Sequence, residues 1–227
     1  MHAANEIAER LGDVRGRIAA AAKRSAREPG AIRLVLASKT QPAQSIRAAY
    51  EAGARDFGEN YIQEAVAKRA ELTELTDARW HLIGHLQTNK AKLAVQSFDL
   101  IHTLDSVRLA DLLARASRTV RVLIEVNVGG EMSKSGIAPS KLESLIEGAR
   151  HKVEIAGLMT IPPHTEGAEG ARQYFAALRE LRDRLAVSSG LALSELSMGM
   201  TEDFEVAIEE GATIVRVGRA IFGERPK

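Results

Sequence analysis

The sequence predicts a (β/α)8 barrel, a TIM barrel carrying an extra N-terminal helix, with residues 1–227 forming one domain. Three observations lead there. Short apolar runs alternate with amphipathic helical patterns along the chain; the alternation can be counted eight times; and the text after the first apolar run, LASKTQPAQ, lacks the glycine-rich fingerprint of an open dinucleotide-binding sheet. Strands that alternate with helices pair in parallel through right-handed crossovers, and eight of them suffice to close a barrel.

The elements follow in order. Ile7, Leu11, Val14 and Ile18 recur at spacings of four and three, the stripe of an amphipathic helix that ends in the polar run near Lys23 to Gly30. A first strand over Ile32–Ala37 leads to a helix opened by Pro42 and stopped at Gly53. Next come a weak strand at Ala54–Phe57 with a helix from Asn60, a strand at Trp80–Ile83 with a helix from Thr88, and a strand at Leu100–Thr103 with a helix from Ser106. Strand Val122–Val126 precedes a helix opened by Pro139, and strand Val153–Met159 precedes a long helix from Glu166 to Leu185. Leu193–Ser197 is followed by a helix from Thr201 to Glu210, and Thr213–Val217 closes the series.

Composition narrows function. A chain of 227 residues, 45% hydrophobic, supplies one sizeable core. Lysine plus arginine (31) nearly cancels aspartate plus glutamate (30), so no overall field attracts nucleic acid or an anionic membrane. Cysteine is absent, which excludes disulfides and thiolate chemistry and fits a reducing, cytoplasmic setting. The N-terminal segment carries charges throughout and lacks the apolar core of a signal peptide.

If the barrel forms, chemistry belongs where strands end and loops begin. Lys39 follows VLAS and lies at the carboxyl end of the first strand, where partial burial would favour the neutral amine that condenses with carbonyls. A solvated loop lysine is the other reading. The segment SMGMT, with the hydroxyls of Ser197 and Thr201, joins the seventh strand to a helix, and Gly218 follows the eighth. Barrels often hold phosphate between those two loops, although ordinary turn and capping residues look the same in sequence. Arg216, two residues after Ile214, projects toward the barrel mouth and needs an acceptor, either on a ligand or at Glu125. HLIGHLQTNK and GEN are further pocket candidates. His81 and His85 would share a metal only on one continuous helix, which Gly84 breaks, so no metal is expected. His2, His102, His151 and His164 read as surface or internally satisfied residues, and Lys134 in EMSKSGI reads as a solvated loop lysine within reach of the mouth.

At these residues the sequence resembles the pyridoxal phosphate homeostasis protein family, single-domain relatives of the barrel half of alanine racemase. ASKT with Lys39, FGEN with Asn60, WHLIGHLQTNK, IHTLDS, VNVGGEMSKSGI, GLMTI, LSMGM and VRVGRAIFGER carry the resemblance, in family order, over nearly the whole chain. The resemblance implies a barrel that binds pyridoxal 5′-phosphate (PLP) as a Schiff base on Lys39. Asn60 would lie near the ring, Arg216 near the pyridine nitrogen, and Ser197, Thr201 and Gly218 around the phosphate. Met159 and Met198, from GLMTI and LSMGM, join the implied cofactor-binding set. Thr201 departs from the serine more usual in the family but keeps a hydroxyl.

The family is associated with intracellular vitamin B6 balance and is generally regarded as lacking a demonstrated enzymatic activity, so the expected role is a carrier or buffer. PLP-dependent apoenzymes are the expected recipients, and the expected state is a monomer or weak dimer. Racemisation would need a second acid or base opposite the cofactor, and Tyr50, Tyr61 and Tyr174 fall on helical stretches instead. An arginine at the ring nitrogen weakens the cofactor as an electron sink, and the chain's end soon after FGER leaves no expected lid. An amino-acid racemase-like PLP enzyme is the alternative. A cofactor-free barrel using Lys39 on a phosphorylated carbonyl compound is a third reading.

Overall fold

The computed structural model describes residues 2–117, 119–131 and 134–223, with no description of the side chains of His2 and Ala3. Of the sequence readings, Met132 and Ser133 of EMSKSGI, the end of the FGER segment and the His2 side chain lie outside these limits.

Eight parallel strands form a closed barrel in sequence order: β1 (Arg33–Ala37), β2 (Asp56–Glu59), β3 (Arg79–Leu82), β4 (Leu100–Leu104), β5 (Arg121–Glu125), β6 (Glu154–Met159), β7 (Glu195–Ser197) and β8 (Ile214–Val217). Closure is made by β1 on β8, with Arg33 opposite Ile214 and Leu36 opposite Val217. The helices are α1 (His2–Arg24), α2 (Ala43–Glu51), α3 (Ile62–Glu71), α4 (Ala91–Ser97), α5 (Val107–Ala116), α6 (Leu142–Ala149), α7 (Arg172–Ser189), α8 (Phe204–Glu209) and α9 (Arg219–Phe222).

Alternation along each strand sorts the core into two parts. Leu36, Phe57, Leu82, Ile101, Ile124, Leu158, Leu196 and Val215 pack beneath the helices. A smaller cluster of Val35, Leu100, Leu123, Ala156, Met159 and Ile214 is composed of strand residues alone and fills the barrel interior. The expected stripe of α1 is buried at Ile7, Leu11, Val14 and Ile18. The polar side of α1 reaches α8 through Arg17 to Glu205 (3.1 Å) and Arg24 to Glu209 (2.7 Å), and Arg27, just past α1, donates to the carbonyls of Ile208 and Ala212.

Among the boundaries that differ from expectation, four have a physical reason. β2 starts at Asp56 and runs through Glu59, because its buried Glu59 is paired with Lys68 and so tolerates a strand position that hydropathy disfavours. β7 is confined to Glu195–Ser197, because Leu193, the expected start, adopts φ 39° and cannot continue a strand. α7 starts at Arg172 instead of Glu166, since Pro162, Pro163 and Gly167 (φ 73°) hold the preceding segment as a loop. α8 starts at Phe204, leaving Thr201 in a turn, while the Asp203 carboxylate accepts from the Met200 amide at 2.6 Å.

Candidate functional site at the carboxyl end of the barrel

Two large cavities occupy opposite ends of the barrel. One, of about 810 Å³, lies among Arg15, Arg33, Asp56, Arg79 and Glu195 at the amino ends of the strands. The other, of about 1140 Å³, lies where the strands end, and Lys39, Asn60, Thr201, Arg216 and Gly218 all line it. Barrel loops on this second side carry chemistry, whereas polar residues at the amino end serve chiefly stability.

Lys39 lies two residues past β1, on a loop that is clamped from below. The Lys68 ammonium donates to the Ser38 carbonyl (2.7 Å) and pairs with Glu59 (2.8 Å) and Glu64 (2.7 Å). The Ser38 hydroxyl donates to Glu59 at 2.6 Å, and the Thr40 amide donates to Glu64 at 2.5 Å. Thr40 adopts φ 65°, a left-handed conformation costly for a β-branched residue and held here by those contacts. Burial raises the Glu59 carboxyl above its usual range despite the opposing hydrogen bonds from Lys68 and Ser38.

Asn60 follows β2 and its buried Oδ1 has no hydrogen-bond partner among the described residues. Gly218 follows β8 where a Cβ would lie 3.0 Å from the Ala37 carbonyl oxygen, so glycine lets the β1 and β8 ends approach. Gly199, in the β7 loop, holds φ 91° and would press a Cβ to 2.8 Å from the Phe204 Cα.

Arg216 is buried, yet it borders the cavity. Its Nη1 donates to the Ser197 Oγ at 2.6 Å and its Nη2 to the Thr160 carbonyl at 2.9 Å, leaving other guanidinium N–H groups for a ligand. Burial pushes its pKa down to about 10, partly offset by Asp203 and Glu125, so it stays cationic at neutral pH. No ion pair joins it to Glu125 among the described residues, so the carboxylate considered from sequence is not its acceptor.

Ser197, Met159 and Met198 are fully buried and stand behind the cavity wall. The expectation that the Ser197 hydroxyl faces an anion is corrected: its oxygen is held between Arg216 and His102 Nδ1 (2.9 Å) inside the barrel. His81 also points inward, bonded to His102 (3.0 Å) and Asp56 (2.9 Å), whereas His85 is exposed beside Asp105. Lys134 is tied to the Pro162 carbonyl (2.8 Å) and to Glu131 at the cavity edge, contrary to the solvated-loop reading. Sequence reasoning missed the 161–168 loop, with His164 at the cavity, and the Lys68 clamp; the pairing of two prolines after β6 was the available signal for the loop. Tyr61 immediately precedes α3 and is exposed, and Tyr50 bonds to Asp77.

Glu125 ends β5 with a buried Oε2 that has no hydrogen-bond partner among the described residues. Burial, with the nearby Asp105 charge, raises its pKa to about 7, against the pull of Arg216. A carboxyl raised in the fold costs stability above that pKa, and the cost disappears as pH falls below the usual carboxylate range. Glu125→Gln is therefore expected to raise stability by about 2 kcal/mol near pH 8 and to leave it little changed near pH 4.5. Urea unfolding at the two pH values checks this, and an identical shift at both would contradict it.

The chain matches the family described as alanine racemase, N-terminal domain, over residues 2–226. The pyridoxal phosphate homeostasis protein of Aquifex aeolicus is 49% identical over 223 residues, covering 96% of this chain and 97% of that protein. The protein of that name from Pseudomonas aeruginosa is 44% identical, with 96% of each chain covered. The solved structure of PipY from Synechococcus elongatus with PLP bound superposes with a TM-score of 0.84 at 40% identity, covering 96% of this chain and 100% of PipY. The resemblance carried by the motifs and the likeness carried by the barrel thus agree, and the chain belongs to the pyridoxal phosphate homeostasis protein family, built on the barrel of the alanine racemase N-terminal domain.

Proposed function

We propose that the chain binds PLP in the 1140 Å³ cavity through Lys39 and serves vitamin B6 homeostasis as a carrier or buffer, without robust catalysis. The observation that carries this reading is the convergence of Lys39, Asn60, Thr201, Arg216 and Gly218 on one cavity. The PLP-bound state of PipY and the names of the bacterial relatives support it.

The residues fit the group. Asn60 offers a buried acceptor still lacking a partner, Arg216 offers unspent donors toward a ring nitrogen, and Gly218 brings backbone close to the cavity beside the Thr201 hydroxyl. Because α8 and α9 have six and four residues, phosphate would be held by hydroxyl and backbone groups of the two loops, without a strong helix dipole. Ser197 takes part through its hold on Arg216, while Met159 and Met198 back the wall. When bound, PLP supplies an aldehyde that condenses reversibly with a primary amine. The clamp from Lys68 and Glu64 holds the Lys39 loop at the cavity, and Arg216, cationic at neutral pH, would keep a proton off a ring nitrogen that accepted from it.

Purified protein is expected to be yellow, or to turn yellow with added PLP, and to lose that absorbance on borohydride treatment with a permanent mass gain. A preparation that takes up no PLP would sink the proposal. Pyridoxal without its phosphate should bind about 100-fold more weakly, and titration giving equal affinities would refute the phosphate assignment. Turnover of any amino acid at about one per second or faster, lost in a Lys39 variant, would instead favour the racemase-like enzyme.

A further inference from the structure

A hydrogen-bonded chain runs through the barrel interior from one cavity to the other. It starts at Arg216 on β8, passes Ser197 on β7, His102 on β4 and His81 on β3, and ends at Asp56 on β2, with links of 2.6, 2.9, 3.0 and 2.9 Å. Every side chain in it is buried. Arg79 holds Asp56 with two bonds, of 2.9 and 2.6 Å, and Arg33 stands 3.8 Å away.

The polarity of this chain follows from its ends. Arginine only donates, so the Ser197 oxygen accepts from Arg216. Asp56, paired with Arg79, is ionised: burial raises its carboxyl, but the bonds from His81 and Arg79 outweigh this and bring it below its usual range. An ionised carboxylate only accepts, so His81 donates from Nε2. At the other end the Ser197 oxygen already accepts from Arg216, so its hydroxyl proton points to His102 Nδ1; that nitrogen accepts, His102 donates from Nε2, and His81 Nδ1 accepts. Burial, with the charges of Arg216 and Arg33, holds His102 well below the usual imidazole range, in keeping with a single ring proton. Every donor in the series meets an acceptor, with no clash at any link.

We infer that His102 and His81 are positioning residues for Arg216: the carboxylate at the amino end of the barrel sets one tautomer in each imidazole, and these turn the Ser197 hydroxyl proton away from the guanidinium so that Ser197 serves it only as an acceptor. This deepens the proposed function and rests on it only for the consequence at the ligand, since the polarity itself belongs to the protein alone. The same order would aim the remaining Arg216 donors into the cavity at a ring-nitrogen acceptor, with Thr160 as the second fixed point.

Two measurements test it. In the ligand-free protein at neutral pH, nitrogen-15 NMR of the imidazoles is expected to show both rings protonated at Nε2 and bare at Nδ1. A proton on His102 Nδ1 at that pH overturns the inference. The second uses His102→Asn, which keeps an acceptor near the Nδ1 position, and His102→Gln, which keeps an N–H near the Nε2 position. Both lose one buried bond and thermal stability. Only His102→Gln is expected to weaken PLP binding, by about tenfold, and to shift the absorption of the bound chromophore, with His102→Asn within about twofold of wild type. Equal effects of the two, or a larger effect of His102→Asn, overturn the positioning role. If wild-type protein takes up no PLP, the proposed function fails while the NMR result still decides the polarity.

Discussion

Replacing Lys39 with alanine is expected to abolish covalent PLP retention while leaving the barrel folded. Lys39 stands on a loop past β1, half-buried at the cavity, and no part of either apolar cluster depends on it. Surface and loop substitutions of this kind usually change stability by less than about 0.5 kcal/mol, so the thermal transition should hardly move while the borohydride-fixed mass adduct vanishes. An undiminished adduct in the alanine variant would mean that another amine is the attachment point. Lys134, tied to Pro162 and Glu131 at the cavity edge, would be examined first.

Lys68→Met is expected to be the most destabilising of the substitutions considered, by about 3–5 kcal/mol in urea unfolding, because it strands the fully buried Glu59 without its cation. The Ser38 carbonyl loses a donor in the same step, and the Lys39 loop loses one of its two clamps. Adding Glu59→Leu should recover much of the stability, since a buried apolar pair of similar volume removes the stranded charge. PLP uptake should recover less, as the Ser38 hydroxyl loses its carboxylate acceptor and the Ser38 carbonyl its ammonium donor at the root of the loop. Full recovery of uptake together with stability would show that the clamp does not position Lys39.

Much of the fold was legible in the sequence because each strand is a short apolar run and α1 carries a regular stripe. What was misread involves residues whose local preference yields to a tertiary partner. Glu59 reads as a break in β2 and is a strand residue because Lys68 pairs with it; Thr201 reads as a helix start, whereas the helix begins after Asp203. At the site, Lys39, Asn60, Thr201, Arg216 and Gly218 could be placed because strand ends in a barrel converge on one rim. The role of Ser197 could not be read, since its partner His102 comes from a strand far away in sequence and each residue alone resembles an ordinary satisfied polar group. Asp56, His81 and His102 become a series only when three different strands stand side by side.

The closing of β1 on β8 also bears on how the protein is made. Arg33 pairs with Ile214, and Arg17 on α1 reaches Glu205 on α8, so α1 and β1 wait for elements made about 180 residues later before these contacts form. At about 5–20 residues per second, the interval is roughly 10–40 s, during which one edge of β1 and part of the apolar stripe of α1 stay uncovered. Contacts so distant in sequence also slow the final search for closure. Slowing translation of the last two strands should therefore raise the aggregated fraction more than slowing the first two.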